Sequence, residues 1–263
     1  MSLFRPLSAL AVASLGVAAL VQAAPARDSA VARAIAAPER TAAERARDRY
    51  RHPAETLAFF GVTPASKVVE FSPGGGWYTA ILARIPAGKG SYTALVPAKG
   101  AEGARKMLAD KGLKGIVATI DAATGTSDVP AGSQDVVLTF RNIHNLTMGG
   151  GDTAAKVFAA WFAMLRPGGT LGIVEHRLPE TADTAKEKDS GYLKASTVRR
   201  LAEQAGFTLA AGSDVNANPR DTHDHPKGVW TLPPTYALGD QDRATYAAIG
   251  ESDRMTLRFV KPR

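Results

Sequence analysis

Short apolar runs alternate with segments of helical periodicity along most of this 263-residue chain, and the alternation limits the folds that it can adopt. The runs rich in β-forming residues cover residues 67–71, 91–96, 115–120, 135–140 and 170–175. Strands that alternate with helices through five such units predict an α/β fold with a doubly wound, Rossmann-like sheet of mostly parallel strands. Two later runs, at 207–211 and 255–260, predict an antiparallel C-terminal edge.

The first 23 residues have a composition of their own. Arg5 is their only charged residue, and residues 9–21 are all small or apolar. Such a run after a positive charge, with small residues at its end, is typical of a cleaved secretory signal. An uncleaved anchor is the alternative, but the run is shorter than the roughly 20 residues that a spanning helix needs. We therefore predict cleavage after Ala23, export to the periplasm and no stable membrane span.

Residues 24–47 are rich in Ala, Arg and Glu and show little apolar periodicity, so they are expected to form a solvated spacer or a loose helix. A single domain is expected over residues 48–263. The chain has no cysteine, which excludes disulfides, thiolate zinc sites and cysteine nucleophiles. The net charge of +7 is not gathered into a block of basic residues, so no nucleic-acid partner is predicted.

A glycine-rich turn follows the first predicted strand. Residues 72–76 read Ser-Pro-Gly-Gly-Gly, directly after the strand that carries Glu70. Glycines there let the backbone approach a ligand, and the start of the next helix offers free N–H groups. A tight crossover without a ligand is the alternative interpretation.

A second motif lies about 95 residues further on, where residues 165–169 read Leu-Arg-Pro-Gly-Gly before a strand that ends in Glu175. Together with the acidic first strand and its glycine turn, this order resembles the class I S-adenosylmethionine-dependent methyltransferases. The resemblance covers roughly residues 50–263. Within that superfamily the chain is most similar to predicted exported methyltransferases that carry a Phe-Ser-Pro-Gly-Gly-Gly-Trp-Tyr-Thr turn and a Phe-Arg-Asn-X-His segment, here at 71–79 and 140–144.

The resemblance implies S-adenosyl-L-methionine as cofactor, bound at the carboxyl ends of the strands. Its adenine is expected near Asp121, just past the third strand. The expected contacts of its methionyl and ribose parts are Glu70, Ser72, Gly74, Gly75 and Gly76.

Two positions depart from the family pattern. Ser72 replaces the first glycine of the usual turn and is followed by the rigid Pro73. The second strand ends in Val96 and Pro97, where the fold normally supplies an acid for the ribose hydroxyls. The missing acid favours weaker cofactor binding or a different ligand.

The segment after the fourth strand is where such a fold faces the methyl group and its acceptor. His144 is the candidate general base there, with Asn142 as the second catalytic residue that orients the acceptor. Arg141, Asn145 and His176 are the candidate substrate contacts. A structural alternative is that His144 only caps the strand end by hydrogen bonding to backbone.

Residues 216–240 contain four prolines and few periodic positions, which predicts a long loop or lid. Its histidines, His223 and His225, lie beside carboxylates that could complete a zinc site, although a solvated polar turn is the commoner outcome and no metal is predicted.

The resemblance predicts a methyltransferase that acts on a small molecule or an envelope component. A non-catalytic ligand-binding protein on the same scaffold is the alternative. A nicotinamide-dependent dehydrogenase is disfavoured, because Thr79 stands where that fingerprint requires its third glycine.

Overall fold

The computed structural model describes residues 29–263, so the predicted signal segment 1–23 lies outside the described residues. A mixed sheet of nine strands forms the centre of the domain. The strands are β1 (Lys67–Phe71), β2 (Ser91–Val96), β3 (Ile116–Asp121), β4 (Thr126–Ser127), β5 (Gln134–Phe140), β6 (Leu165–Leu178), β7 (Leu193–Lys194), β8 (Thr208–Ser213) and β9 (Arg254–Val260).

Helices surround the sheet. They are α1 (Ala30–Ile35), α2 (Ala42–Arg45), α3 (Asp48–Arg51), α4 (Pro53–Phe59), α5 (Thr79–Leu82), α6 (Ala101–Asp110), α7 (Ile143–Thr147), α8 (Thr153–Met164), α9 (Ala195–Gln204) and α10 (Arg243–Ile249). Short 3₁₀ turns lie at Ala98–Gly100, Thr184–Lys188 and Gly228–Thr231.

The strand order is β4-β3-β2-β1-β5-β6-β9-β8, and β7 pairs with β6. Strands β1, β2, β3, β5 and β6 run parallel to their neighbours within this group. Strand β9 is antiparallel to both β6 and β8. This order confirms the predicted doubly wound α/β sheet with an antiparallel C-terminal edge. The chain leaves β1 towards β2 on one side and returns to β5 on the other, so the switch point of the sheet lies between β1 and β5.

Two hydrophobic layers cover the sheet because neighbouring strand residues point to opposite faces. Val68 packs in the layer with α1 and α5, whereas Val69 packs in the layer with α8 and α9. The apolar side of α8 is buried in the second of these layers, with Val157, Phe158 and Trp161 fully inside.

Residues 29–47 belong to the segment expected to be a solvated spacer or a loose helix, and they contain two short helices, α1 and α2, with residues packed against the domain. Val31 and Ala34, three positions apart on α1, are buried in the same hydrophobic layer as Val68. Arg40 is also buried and donates to both carboxylate oxygens of Asp48. The segment escapes a periodicity search because its apolar stripe is only one helical turn long. Within the described range, no helix combines the length and apolarity needed to cross a bilayer.

Candidate functional site

A cavity of about 340 Å³ opens at the carboxyl edge of the sheet, over the switch point between β1 and β5. This volume lies at the lower end of the range for small-molecule sites, which is roughly 300–1,000 Å³. Its walls come from the turn after β1, the segment after β5, the end of β6, the residues before β9 and the predicted lid. The lid residues that line it are Val229, Trp230, Pro233, Pro234 and Thr235.

The glycine turn exposes bare backbone to this cavity. Gly74 and Gly75 line it, and a Cβ atom added to either glycine would meet no atom within 4 Å. Gly76 has another role, since a Cβ there would come within 2.6 Å of the Met107 sulfur on α6. Trp77 forms part of the cavity wall. The turn therefore leaves open space against Gly74 and Gly75, whereas Gly76 packs against α6; ligand contacts of Gly74 and Gly75 remain a prediction.

Two residues at the cavity rim adopt a backbone conformation that L-amino acids rarely occupy. Ser72 has a φ of 49° directly after β1, and Arg141 has a φ of 62° directly after β5. Both line the cavity. Left-handed backbone at non-glycine residues is strained and concentrates at functional sites.

Three of the predicted cofactor residues lie outside the cavity walls. Gly76 is one of them, and Glu70 is another, because its carboxylate is buried and accepts hydrogen bonds from Thr79 (2.7 Å) and Tyr92 (2.6 Å). Burial outweighs these hydrogen bonds and raises the pKa of Glu70 to about 7. Asp121 is exposed and accepts from the N–H of Ala123 at 2.9 Å within its own turn. Cofactor contacts by these three residues remain predictions.

His144 and Glu175 form a buried pair beside the cavity. The Nδ1 atom of His144 lies 3.0 Å from Oε1 of Glu175. The other carboxylate oxygen accepts from the backbone N–H of Ile143 at 2.6 Å, which fixes the carboxylate at the start of α7. A carboxylate partner places the proton on Nδ1, so Nε2 is free to accept a proton. Nε2 has no hydrogen-bond partner within residues 29–263, and the imidazole lines the cavity.

His176 reaches the same cavity, and its Nδ1 atom lies 2.6 Å from the Ser252 hydroxyl. Burial, together with the charges of His144 and nearby arginines, holds the pKa of His176 well below its usual value. Strand alternation predicts that at most one of Glu175 and His176 serves the site. The structure agrees: His176 lines the cavity, whereas Glu175 is fully buried, lies outside the cavity walls and pairs with His144 on α7.

Asn142 and Asn145 have different positions. The Nδ2 atom of Asn142 donates to the carbonyl oxygens of Phe71 (3.1 Å) and Ser72 (3.3 Å), so it joins the end of β1 to the segment after β5. Asn145 is exposed at the cavity rim. Both line the cavity, and Asn142 holds the rim together; their roles towards an acceptor remain predictions.

The sequence analysis does not predict an arginine cluster that lies at the cavity. Glu251 accepts from Nε of Arg47 at 2.6 Å, from Nε of Arg51 at 3.0 Å and from Nη2 of Arg254 at 2.7 Å. Arg47, Arg51 and Glu251 line the cavity together with the predicted Arg141. Burial opposes ionisation of Glu251, but the charges of Arg254, Arg51 and Arg47 outweigh it and lower its pKa to about 2. Arg47 and Arg51 lie about 200 residues from Glu251 along the chain, so no local sequence pattern joins them to it.

His223 and His225 do not form a shared metal site. His223 Nε2 lies 3.3 Å from Asp253, and His225 Nε2 lies 2.9 Å from Asp221. In the part of the chain that the structure describes, the one cluster with metal-like spacing is His144, Glu175 and His176. The carboxylates near the lid histidines instead anchor the lid, since Asp221 also accepts from the Tyr192 hydroxyl at 2.8 Å.

Solved structures with a similar fold share little sequence with this chain. A SAM-dependent methyltransferase from Aquifex aeolicus is 15% identical with a TM-score of 0.55, over 82% of this chain and 93% of that one. The [4+2]-cyclase SpnF is 16% identical with a TM-score of 0.56, over 84% and 81% of the two chains. A candidate sarcosine dimethylglycine methyltransferase from Galdieria sulphuraria is 17% identical with a TM-score of 0.55, over 80% and 82%.

No protein-family model matches the sequence, and no curated protein is significantly similar to it. At identities this low, structural similarity establishes the fold and leaves the activity open. The chain has the Rossmann-like fold of the class I S-adenosylmethionine-dependent methyltransferases.

Proposed function

We propose that this protein is an S-adenosylmethionine-dependent methyltransferase that acts on a small molecule. One observation carries the proposal: the bare backbone of Gly74 and Gly75 and the imidazole of His144 face one cavity at the switch point of the sheet. Ligands of open α/β sheets bind at this position. The fold similarity supports the same assignment.

The residues present suit the methionyl part of this cofactor. Gly74 and Gly75 leave a cradle that any larger side chain would fill, and cationic groups for a carboxylate lie at Arg47 and Arg51. The ribose part lacks its usual acid, because β2 ends in Val96 and Pro97. S-adenosylmethionine supplies an electrophilic methyl group when it is bound.

The chain itself supplies alignment and proton removal. Glu175 holds the His144 imidazole through Nδ1, which leaves Nε2 to take a proton from a hydroxyl or ammonium acceptor. Trp230 packs edge-on against His144, with ring centroids 5.9 Å apart, and limits the motion of the ring. Pro233 and Pro234 of the lid line the same space.

Isothermal titration calorimetry of the purified protein tests the cofactor assignment. We expect heat of binding with S-adenosylmethionine and with its demethylated product, and none with NAD. Absence of binding to the first two, with binding of another nucleotide, would contradict the proposal.

A transfer experiment tests the role of His144. Methyl-labelled cofactor is incubated with the protein and a small-molecule extract, and label is followed into the extract. We expect His144→Ala to lose at least about 100-fold of the transfer rate, since a positioned base contributes roughly 10²–10⁴. Cofactor binding should persist in this variant. Undiminished transfer would exclude His144 as the base.

A non-catalytic binding protein is the second candidate. The missing acid after β2 favours it, and the [4+2]-cyclase SpnF has a similar fold but is named for a different reaction. A protein that binds a nucleoside ligand but transfers no label to any extract would fit this candidate.

The proposed location is the periplasm, and an envelope component is a proposed alternative acceptor. The composition of residues 1–23 supports export. N-terminal sequencing of the protein from fractionated cells tests it, with Ala24 expected as the first residue of the periplasmic form.

A further inference from the structure

The cavity is lined by more positive than negative charge. Arg47, Arg51 and Arg141 line it, whereas Glu251 is the one carboxylate among its lining residues in the described part of the chain. Glu251 is also shared with the buried Arg254. The Arg141 side chain has no hydrogen bond to any residue of the range 29–263. The cluster therefore carries an excess of cationic groups at its inner wall.

Several guanidinium donors in the cluster are buried without partners. Arg51 is 1% exposed and uses Nε for Glu251, while its Nη1 and Nη2 atoms have no partner among the described residues. The Nη2 atom of Arg47 is also buried and has no hydrogen-bond partner among the described residues. Buried donors are almost always satisfied in folded proteins, so unpaired ones at a cavity indicate a ligand that completes them.

The surrounding contacts fix the orientation of Arg51. Its guanidinium carbon lies 4.7 Å from the centre of the Trp77 ring, which restrains the guanidinium plane. The Glu251 contact restrains the Nε edge. The remaining Nη1–Nη2 edge is a two-pronged donor, the geometry that matches carboxylate and phosphate oxygens.

The electrostatics favour an anion over a cation. Burial and the charge of Arg141 hold the pKa of Arg51 well below its usual value, and burial with the charge of Arg254 lowers the pKa of Arg141 to about 10. Ligand atoms of His144, Glu175 and His176 lie within 4.8 Å of one another, but both Glu175 oxygens accept backbone N–H groups. The neighbouring guanidinium groups would repel a metal ion there.

We propose that Arg47, Arg51 and Arg141 form a binding site for an oxyanion, a carboxylate or phosphate group carried by a molecule that enters the cavity. This assignment does not depend on methyl transfer, because a methyltransferase and a non-catalytic binding protein could both hold an anionic ligand at this site. It restricts the ligands of this cavity to acids.

Thermal unfolding with inorganic phosphate as the probe tests the site without any cofactor. Phosphate at ten times its dissociation constant should raise Tm by about 3–6 °C relative to chloride at equal ionic strength. Arg47→Gln should lose this increase, and so should Arg51→Lys, which keeps the charge but not the two-pronged donor. Arg49→Gln is the matched control: Arg49 is an exposed neighbour on α3 that donates to Tyr50, so the increase should persist.

Binding of two nucleosides shows whether the anion belongs to the cofactor or to a second molecule. S-adenosylmethionine carries an amino-acid carboxylate, and 5′-methylthioadenosine lacks one. If the site holds that carboxylate, Arg47→Gln weakens only the first ligand and phosphate competes with it. If it holds an acidic group of a second molecule, phosphate binds together with S-adenosylmethionine and the variant leaves both nucleoside affinities unchanged.

Two results would overturn the proposal. One is a Tm increase with phosphate no larger than that with chloride in the unsubstituted protein. The other is an equal increase in the protein and in the Arg47→Gln and Arg51→Lys variants. Failure of S-adenosylmethionine to bind would instead contradict the proposed function and leave the phosphate result standing.

Discussion

Single residues at the ends of β1 and β5 decide the character of the cavity. Ser72 and Arg141 both have positive φ, although glycine would adopt this conformation without strain. The family pattern has a glycine where this chain has Ser72, so the sequence marks the position but not its conformation. A non-glycine residue at a strained position is typical of functional sites, and Ser72 and Arg141 both lie at the cavity rim.

Ser72→Gly should stabilise the protein. Relief of the left-handed strain at an L-residue gains roughly 1–2 kcal/mol. The greater freedom of glycine in the unfolded chain offsets roughly 0.5–1 kcal/mol of this gain. The hydroxyl of Ser72 makes no hydrogen bond within residues 29–263, so little else is lost. We expect a gain of about 0.5–1 kcal/mol, measured by urea unfolding.

Ser133→Gly is the control for this prediction, because Ser133 is not among the residues with positive φ and its hydroxyl donates to Pro130. That variant should lose stability. A loss in both variants would mean that Ser72 is not strained.

Strands and helices are the scale at which sequence patterns predict best here. The alternation of apolar runs predicts the parallel core strands and the β8–β9 edge, because burial on both faces leaves a direct mark on composition. The packing of helix α1 and the place of Arg47 and Arg51 at the cavity are missed, since one helical turn carries too few positions for a period. Glu175 is missed as the partner of His144, because their pairing depends on how α7 packs against β6.

A close backbone contact helps to position the part of the lid that lines the cavity. Gly228 has a φ of 53°, and a Cβ atom there would fall on the carbonyl oxygen of Ser190. That oxygen accepts the N–H of Val229 at 2.9 Å, which fixes the start of the lid segment that lines the cavity. Close backbone approach is therefore the reason for glycine at this position.

Gly228→Ala should displace the lid and destabilise the protein by about 2–4 kcal/mol, because backbone strain and a steric clash add together. Gly239→Ala is the matched control: Gly239 also has a positive φ, but a Cβ atom there meets nothing within 4 Å. We expect a loss of only about 1 kcal/mol in the control. Equal Tm values for the two variants would show that the Ser190 contact does not hold the lid.

At the scale of the whole molecule, Glu251 joins the two ends of the described chain. Its carboxylate binds Arg47 and Arg51 before the first strand and Arg254 at the start of β9. Arg47, Arg51 and Glu251 also line the cavity. The stability of the fold and the charge of the cavity wall therefore both depend on one ionised carboxylate.

Stability should fall steeply in acid because of this group. The pKa of Glu251 is about 2 in the folded protein, against about 4.3 in an unfolded chain. A depressed carboxylate pKa stabilises the fold above the unfolded value, and that stability is lost as the pH falls from about 4.3 towards 2.

Glu251→Gln should cost about 3–5 kcal/mol at pH 7, since it leaves buried arginines without their partner. The stability of this variant should then depend less on pH between 4.3 and 2 than that of the unsubstituted protein. Some pH dependence should remain, because the pKa of Asp253 is also lowered to about 2. Glu203→Gln, which breaks an exposed pair with Arg199, should leave the slope unchanged in urea unfolding at each pH. Parallel curves for the protein and Glu251→Gln over this interval would mean that the carboxylate does not join the two ends.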